Sequence, residues 1–162
     1  MNKEIYALEE YEYGVSPTIF LAGPTPRDNN AISWRPEMIE CLRKNNFEGD
    51  IFIPEQKGDY LAYEYPKQIS WETTFLNRAS CILFWIPRQL PHMPAFTTNI
   101  EFGEWMHSEK ITLGYPAWAE KVNYITVRAK DNKIPIFHTM DELAQHTIEI
   151  ANTRFKNTYL IP

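Results

Sequence analysis

A chain of 162 residues, 44% apolar and 14% aromatic, is long enough for one domain with a substantial core and excludes a disordered or fibrous protein. Its 16 basic and 21 acidic side chains give a net charge of −5, which removes the electrostatic case for long nucleic acid or an anionic membrane as partner but leaves room for a local basic group on one phosphate. Cys41 and Cys81 lack metal-ligand spacing and read as reduced core residues, so no metal is expected. The opening Met1-Asn-Lys-Glu-Ile-Tyr-Ala-Leu-Glu-Glu is too acidic for a signal peptide, and no apolar run reaches the roughly 18 residues of a membrane span. The expectation is a cytoplasmic chain forming a single domain over residues 1–162, with 1–16 as lead-in and 152–162 as tail.

In chain order, residues 5–7 can pair as a short edge strand before a polar, turn-rich segment. Thr18-Ile-Phe-Leu-Ala22 is the first clear strand, ended by Gly23-Pro24 and followed by a polar loop through Asn30. Ser33 can cap the next helix, with Pro36 in its first turn and Trp34, Met38 and Leu42 on one face. Asp50-Ile-Phe-Ile-Pro54 is a second strand, and the loop of about fifteen residues after it, carrying Tyr60, Tyr63 and Tyr65, is long enough to suggest a lid. Ser70 is expected to cap a helix through Ala79, with Glu72 in its first turn and Ile69, Leu76 and Ala79 facing the core. Cys81-Ile-Leu-Phe-Trp-Ile86 is a buried strand, and the three prolines of Pro87-Arg-Gln-Leu-Pro-His-Met-Pro94 mark a loop.

A helix over about 98–109 follows, with Thr98-x-x-Glu101 fitting a capping box. Lys110–Gly114 reads as a fourth strand, Trp118–Arg128 as a helix packing Trp118, Val122 and Ile125, and Pro135-Ile-Phe137 as a fifth strand. Thr139-Met-Asp-Glu142 is a second capping box, opening a final helix that buries Leu143, Thr147 and Ile150.

This alternation predicts an α/β fold, a flavodoxin-like, doubly wound parallel sheet of five strands in the order 2-1-3-4-5. In that order the first and third strands are neighbours whose helices leave to opposite faces, opening a crevice at their carboxyl ends. Gly23 to Arg27, Glu72 and Glu101 are expected to ring it. Two carboxylates over one small pocket can break a glycosidic bond with retention, one attacking the anomeric carbon while the other handles the leaving group's proton. A helix N-terminus beside Glu101 would favour its ionised, nucleophilic form, and that anion would raise the pKa of Glu72 toward a general acid's range. Gly23, Pro24 and Arg27 can hold a phosphate or a sugar hydroxyl, with Trp34, Trp71 and Trp85 as a stacking wall for a flat base. Each feature has a structural reading too: a cap for Glu101, a dipole contact for Glu72, an ordinary turn for the loop, core packing for the tryptophans. Arg35 and Arg88 read as solvated or paired surface groups, and His92 has no visible partner.

Phe20-Leu-Ala-Gly-Pro24, Trp34-Arg35, Trp71-Glu72 with Leu76-x-x-Ala79-Ser80, Ile82-Leu-Phe-Trp85 and Thr97-Thr-Asn-Ile-Glu-Phe-Gly103 together resemble the nucleoside 2-deoxyribosyltransferase-like proteins, over about residues 18–115. The resemblance implies a flavodoxin-like fold, no cofactor, and a small-molecule nucleoside or nucleotide as partner. It implies that Glu101 attacks C1′ and forms a glycosyl-enzyme intermediate, and that Glu72, eight residues before Ser80, assists the leaving base. Gly23, Pro24 and Arg27 would meet the sugar or 5′-phosphate, with Trp71, Thr98 and Asn99 completing the substrate site. The family's usual Asp after Ala79 is Ser80 here, and Ala95-Phe-Thr-Thr-Asn99 replaces a glycine-rich lead-in to the nucleophile. Family transferases complete each site with a neighbour's C-terminal residues, which points to a homo-oligomer through Asn152, Asn157 and Tyr159. Hydrolase and transferase both remain open, as do a ligand-binding module without turnover and a plain flavodoxin-like protein holding FMN.

Overall fold

Six short β-strands carry the chain's densest runs of apolar residues, and in the computed structural model they form one parallel sheet. The structure describes residues 2–12, 14, 16–58 and 64–159. In chain order the elements are β1 (Glu4–Tyr6), β2 (Thr18–Ala22), α1 (Arg35–Lys44), β3 (Asp50–Ile53), α2 (Tyr65–Arg78), β4 (Cys81–Trp85), α3 (Phe96–Trp105), β5 (Ile111–Gly114), α4 (Asn123–Asp131), β6 (Ile136–Phe137) and α5 (Met140–Tyr159). The sheet order is β1-β3-β2-β4-β5-β6. It therefore has six strands, not the expected five. Glu4–Tyr6 adds to the outer edge of β3, where Ile5 pairs with Phe52 and buries its side chain.

Every residue of β2, β3, β4 and β5 is buried, as expected for parallel strands covered on both faces. One face packs Phe20, Phe52, Ile82, Phe84 and Leu113 against Trp71, Phe75 and Leu76 of α2, Phe102 of α3, and Ile125 and Ala129 of α4. The other packs Ile19, Leu21, Ile51 and Leu83 against Met38 and Leu42 of α1 and Leu143, Ala144 and Ala151 of α5. β2 and β4 are direct neighbours, with Phe20 opposite Ile82. The helix after β2 covers one face and the helix after β4 covers the other, so the winding reverses between these two strands, the position at which such sheets open a crevice at their carboxyl ends.

Several helix boundaries differ from the sequence expectation, each for a local reason. α2 begins at Tyr65, because Pro66 suits a helix start and extends the element upstream. Ser70 is consequently interior, donating its hydroxyl to the Pro66 carbonyl at 3.2 Å, and Ile69 is 46% exposed. α3 begins at Phe96 and ends at Trp105, with Ala95 at φ 57° turning the chain into it directly after Pro94. α4 starts at Asn123, which leaves Trp118 61% exposed instead of packed.

Half of the second capping box is present: Thr139 Oγ1 accepts the Glu142 amide at 3.3 Å, and its hydroxyl donates to Glu142 Oε2 at 2.7 Å. α5 then continues through Asn152 and Asn157 to Tyr159, a stretch the sequence reads as tail. Cys81 is buried and Cys41 half-buried, both as free thiols. Tyr60 and Tyr63 of the suspected lid lie outside the described residues.

Candidate functional site

The crevice at the β2–β4 boundary is bordered first by the loop leaving β2. Gly23 has φ 154°, and a Cβ there would stand 2.2 Å from the Trp85 carbonyl and 2.6 Å from the Trp34 ring, so only glycine fits. Pro24 is buried, and its carbonyl accepts the Trp34 indole N–H at 2.9 Å. Arg27 is exposed, with its guanidinium 5.3 Å from the Phe96 ring at the start of α3. Its amide donates to the His92 carbonyl at 2.9 Å, and His92 Nδ1 lies 2.7 Å from Asp28 Oδ2. His92 therefore has a partner that its sequence neighbourhood does not reveal, and it ties the loop after β2 to the loop after β4.

Arg35 corrects the sequence reading most strongly. It is 1% exposed rather than solvated. Its Nε donates to the Leu21 carbonyl at 3.2 Å, its Nη2 to the Gly23 carbonyl at 2.7 Å, and its Nη1 to Thr25 Oγ1 at 3.1 Å and Glu55 Oε1 at 2.6 Å. Ser33 supports the same carboxylate, donating to Glu55 Oε1 at 2.8 Å. Arg88 is also buried, donating to the Lys121 carbonyl and to Asn99 Oδ1. Asn99 thereby anchors the first turn of α3 to the loop beneath it, and Thr98 is buried beside it.

Glu72 and Glu101 stand at positions in their helices other than those expected. Glu72 lies in the middle of α2, not in its first turn, and Glu101 lies in the second turn of α3. The first capping box is not formed: Ala95 is the N-cap, and no side chain caps α3. Helix-end stabilisation fades beyond the first turn, so the expected dipole support for ionised Glu101 does not apply. Burial dominates instead. It pushes Glu101 up to about 7, with the Glu72 charge adding to the rise, Arg35 opposing it and Glu104 contributing less. Burial raises Glu72 as well, against a hydrogen bond from Gln68 and the charge of Arg35.

Gln68 orients Glu72, its Nε2 donating to Glu72 Oε1 at 2.8 Å while Gln56 Nε2 donates to its Oε1 at 2.9 Å. A chain of amides thus fixes Glu72 to the segment after β3. Gln68 escapes sequence reading because it carries no motif, although its i, i+4 spacing to Glu72 is a visible signal.

Trp71 is built into the core. Its ring packs 4.3 Å from Phe75, and its indole N–H donates to the Glu9 carbonyl at 3.0 Å. Trp34 and Trp85 are likewise buried, so the proposed stacking wall is interior packing. Ser80 stands at the opposite, amino end of the sheet: its Oγ accepts the Thr18 amide at 3.1 Å and its own amide donates to Thr18 Oγ1 at 2.9 Å. Its departure from the family's Asp therefore falls at the end of β4 remote from the crevice. Ala95 keeps a left-handed backbone that glycine adopts with less strain, so the replaced lead-in retains a turn there. Among the described residues no cluster of three or more His, Cys, Asp or Glu can hold a metal, and no helix is long and apolar enough to cross a membrane.

A parallel sheet whose winding reverses between β2 and β4, with Glu72 and Glu101 both desolvated and the charge of Glu72 raising Glu101, defines an α/β protein of the doubly wound class. The model of the family described as "Nucleoside 2-deoxyribosyltransferase like" matches residues 16–117, well over half of the chain, and the chain belongs to that family. The matched span holds Gly23, Pro24, Arg27, Arg35, Trp71, Glu72, Thr98, Asn99 and Glu101, and membership supports an enzyme of nucleoside chemistry. No curated protein matches the chain.

Proposed function

We propose that the protein cleaves or transfers the N-glycosidic bond of a nucleoside or nucleotide, with retention at C1′. The observation that carries this reading is that Glu72 and Glu101, delivered by separate helices, are both desolvated and close enough for the charge of one to raise the pKa of the other. The Glu101 carboxylate attacks C1′ and the C1′–N bond breaks. Its electron pair leaves with the base, which takes a proton from Glu72. Water or a second base then attacks C1′, gives a proton back to Glu72 and releases Glu101. Gly23, Pro24 and Arg27 border the side on which the sugar's 5′ end would lie, with Thr98 and Asn99 at the start of α3.

Incubation with deoxynucleosides and deoxynucleotides, with and without an acceptor base, tests the reading by chromatography of the products. Free base alone identifies a hydrolase, and an exchanged nucleoside identifies a transferase. In Glu72→Gln protein, whose intermediate should turn over slowly, a mass increase of one sugar located on Glu101 is the expected signature. Intact folded protein that releases no base from any substrate overturns the proposal, and calorimetric binding without product would then assign a ligand-binding module.

A further inference from the structure

Glu72 has two carboxyl oxygens, and the fold treats them differently. Oε1 accepts the Gln68 Nε2–H at 2.8 Å, whereas Oε2 makes no hydrogen bond among the described residues. Gln68 stands one turn earlier on α2, at the i, i+4 spacing that brings helical side chains together. Its amide also faces the segment after β3: Nε2 donates to the carbonyl of buried Pro54 at 3.3 Å, and Oε1 accepts the Gln56 Nε2–H at 2.9 Å. These partners fix which end of the amide is which. The Pro54 carbonyl can only accept, so turning the Gln68 amide over would set oxygen against oxygen there and nitrogen against the Gln56 N–H.

We propose that Gln68 is the positioning residue for Glu72: with its polarity locked by Pro54 and Gln56, its amide keeps Oε1 a hydrogen-bond acceptor throughout the reaction, so the proton delivered to the leaving base is carried on Oε2. The inference rests on the reaction proposed above. As the C1′–N bond breaks, its electron pair takes the Oε2 proton, and the carboxylate left behind gains from the donor already aimed at it. The water or second base that attacks C1′ returns a proton to Oε2. A donor bonded to the ionised form eases release of the proton and works against the burial that raises Glu72. Gln68 is neutral, so it does this without adding a charge that would also act on Glu101.

A charge-neutral substitution therefore tests it, with Arg35, the cation acting on Glu72, left in place. In Glu101→Gln protein, where Glu72 titrates without its coupled neighbour, carboxyl-carbon NMR should show Gln68→Met moving the Glu72 midpoint up by about one pH unit. Gln56→Met leaves the Pro54 and Glu72 bonds of Gln68 in place and should move it far less. In the same Glu101→Gln protein a Gln68 side-chain N–H resonance should shift downfield as Glu72 ionises, with the same midpoint, a response that simple packing by Gln68 does not give. With every other residue wild type, Gln68→Met should lower kcat about tenfold with KM little changed, the loss being smallest on substrates whose base leaves without a proton.

Should Gln68→Met fail to fold, the amide resonance decides alone. A Gln68 N–H that stays still while Glu72 ionises overturns the inference, and so does a Glu72 midpoint that is unchanged in folded Gln68→Met protein or that Gln56→Met raises by as much. Neither NMR readout needs turnover, so both stand apart from failure of the enzymatic reading, which the product assay on wild-type protein reports.

Discussion

Two buried cations, Arg35 and Lys110, anchor opposite ends of the sheet and do different things. Lys110 precedes β5 at the amino edge, where its Nζ donates to the carbonyls of Leu76 at 2.7 Å, Asn77 at 2.8 Å and Ala79 at 3.3 Å and sits 4.5 Å from the Trp105 ring. It closes the carboxyl end of α2, where unpaired carbonyls and the helix dipole both attract a cation. Arg35 is held in the same manner, by backbone carbonyls, at the carboxyl edge. The difference lies in what else is within range. Around Lys110 the electrostatic influences are burial, Arg154 and the Cys81 thiol, whereas Arg35 acts on Glu72 and Glu101. Lys110 closes a helix end, whereas Arg35 also pairs with the Glu55 carboxylate at 2.6 Å.

The sharpest way to break this contrast is at the acids. Glu101→Gln should lower kcat/KM by on the order of a thousandfold or more while leaving substrate binding measurable by calorimetry. Glu72→Gln should cost roughly a hundredfold or more, with the smallest loss on substrates whose base leaves without help from a proton.

At the other end, Lys110→Met should strand the α2 carbonyls and destabilise the fold by about 2 kcal/mol in denaturant titration, with kcat/KM unchanged. A large activity loss in folded Lys110→Met protein would mean that the two ends are not separable. Ser80→Ala should cost about 1 kcal/mol through the lost Thr18 hydrogen bonds and leave turnover intact.

The pH dependence sharpens the same division. With Glu101 pushed up to about 7, its ionised fraction grows as pH rises through that value, so activity should climb along an acid limb near pH 7. Stability should run the other way. Between the ordinary carboxylate value of 4.5 and about 7 the folded state binds more protons than the unfolded chain, so this group makes folding less favourable as pH increases. Glu101→Gln removes that penalty and should flatten the decline, as thermal melts at pH 5 and pH 8 would show.

The repeating strand and helix pattern was legible because parallel strands buried on both faces require continuous apolar runs, as in Ile82-Leu-Phe-Trp85. Boundaries were less so. Thr98-x-x-Glu101 reads as a cap only if Thr98 is the N-cap, and local pattern could not see that Ala95 would adopt a left-handed turn and cap α3 three residues earlier. The same kind of shift moved Glu72 from a helix start to a helix middle. The charge of Glu72 nonetheless reaches Glu101, because the order of strands, not the exact helix start, brings α2 and α3 to the same face of the sheet.

Buried charge was the part hidden from sequence. Arg35, Arg88 and Lys110 look like solvent-facing residues in a string of letters, since a cation is normally exposed unless something distant satisfies it. Their partners, the Leu21 and Gly23 carbonyls, Asn99 and the last turn of α2, are supplied by segments that meet only when the sheet closes.

The order of residues by itself determined the alternating architecture, the family and the two acids worth testing, because hydrophobic period and short motifs are local quantities. Only the tertiary structure decided that those acids are desolvated and that the charge of Glu72 reaches Glu101. Protonation depends on desolvation and on Coulomb interactions across a few ångströms of space, and those distances are set by which helices the folded sheet places side by side.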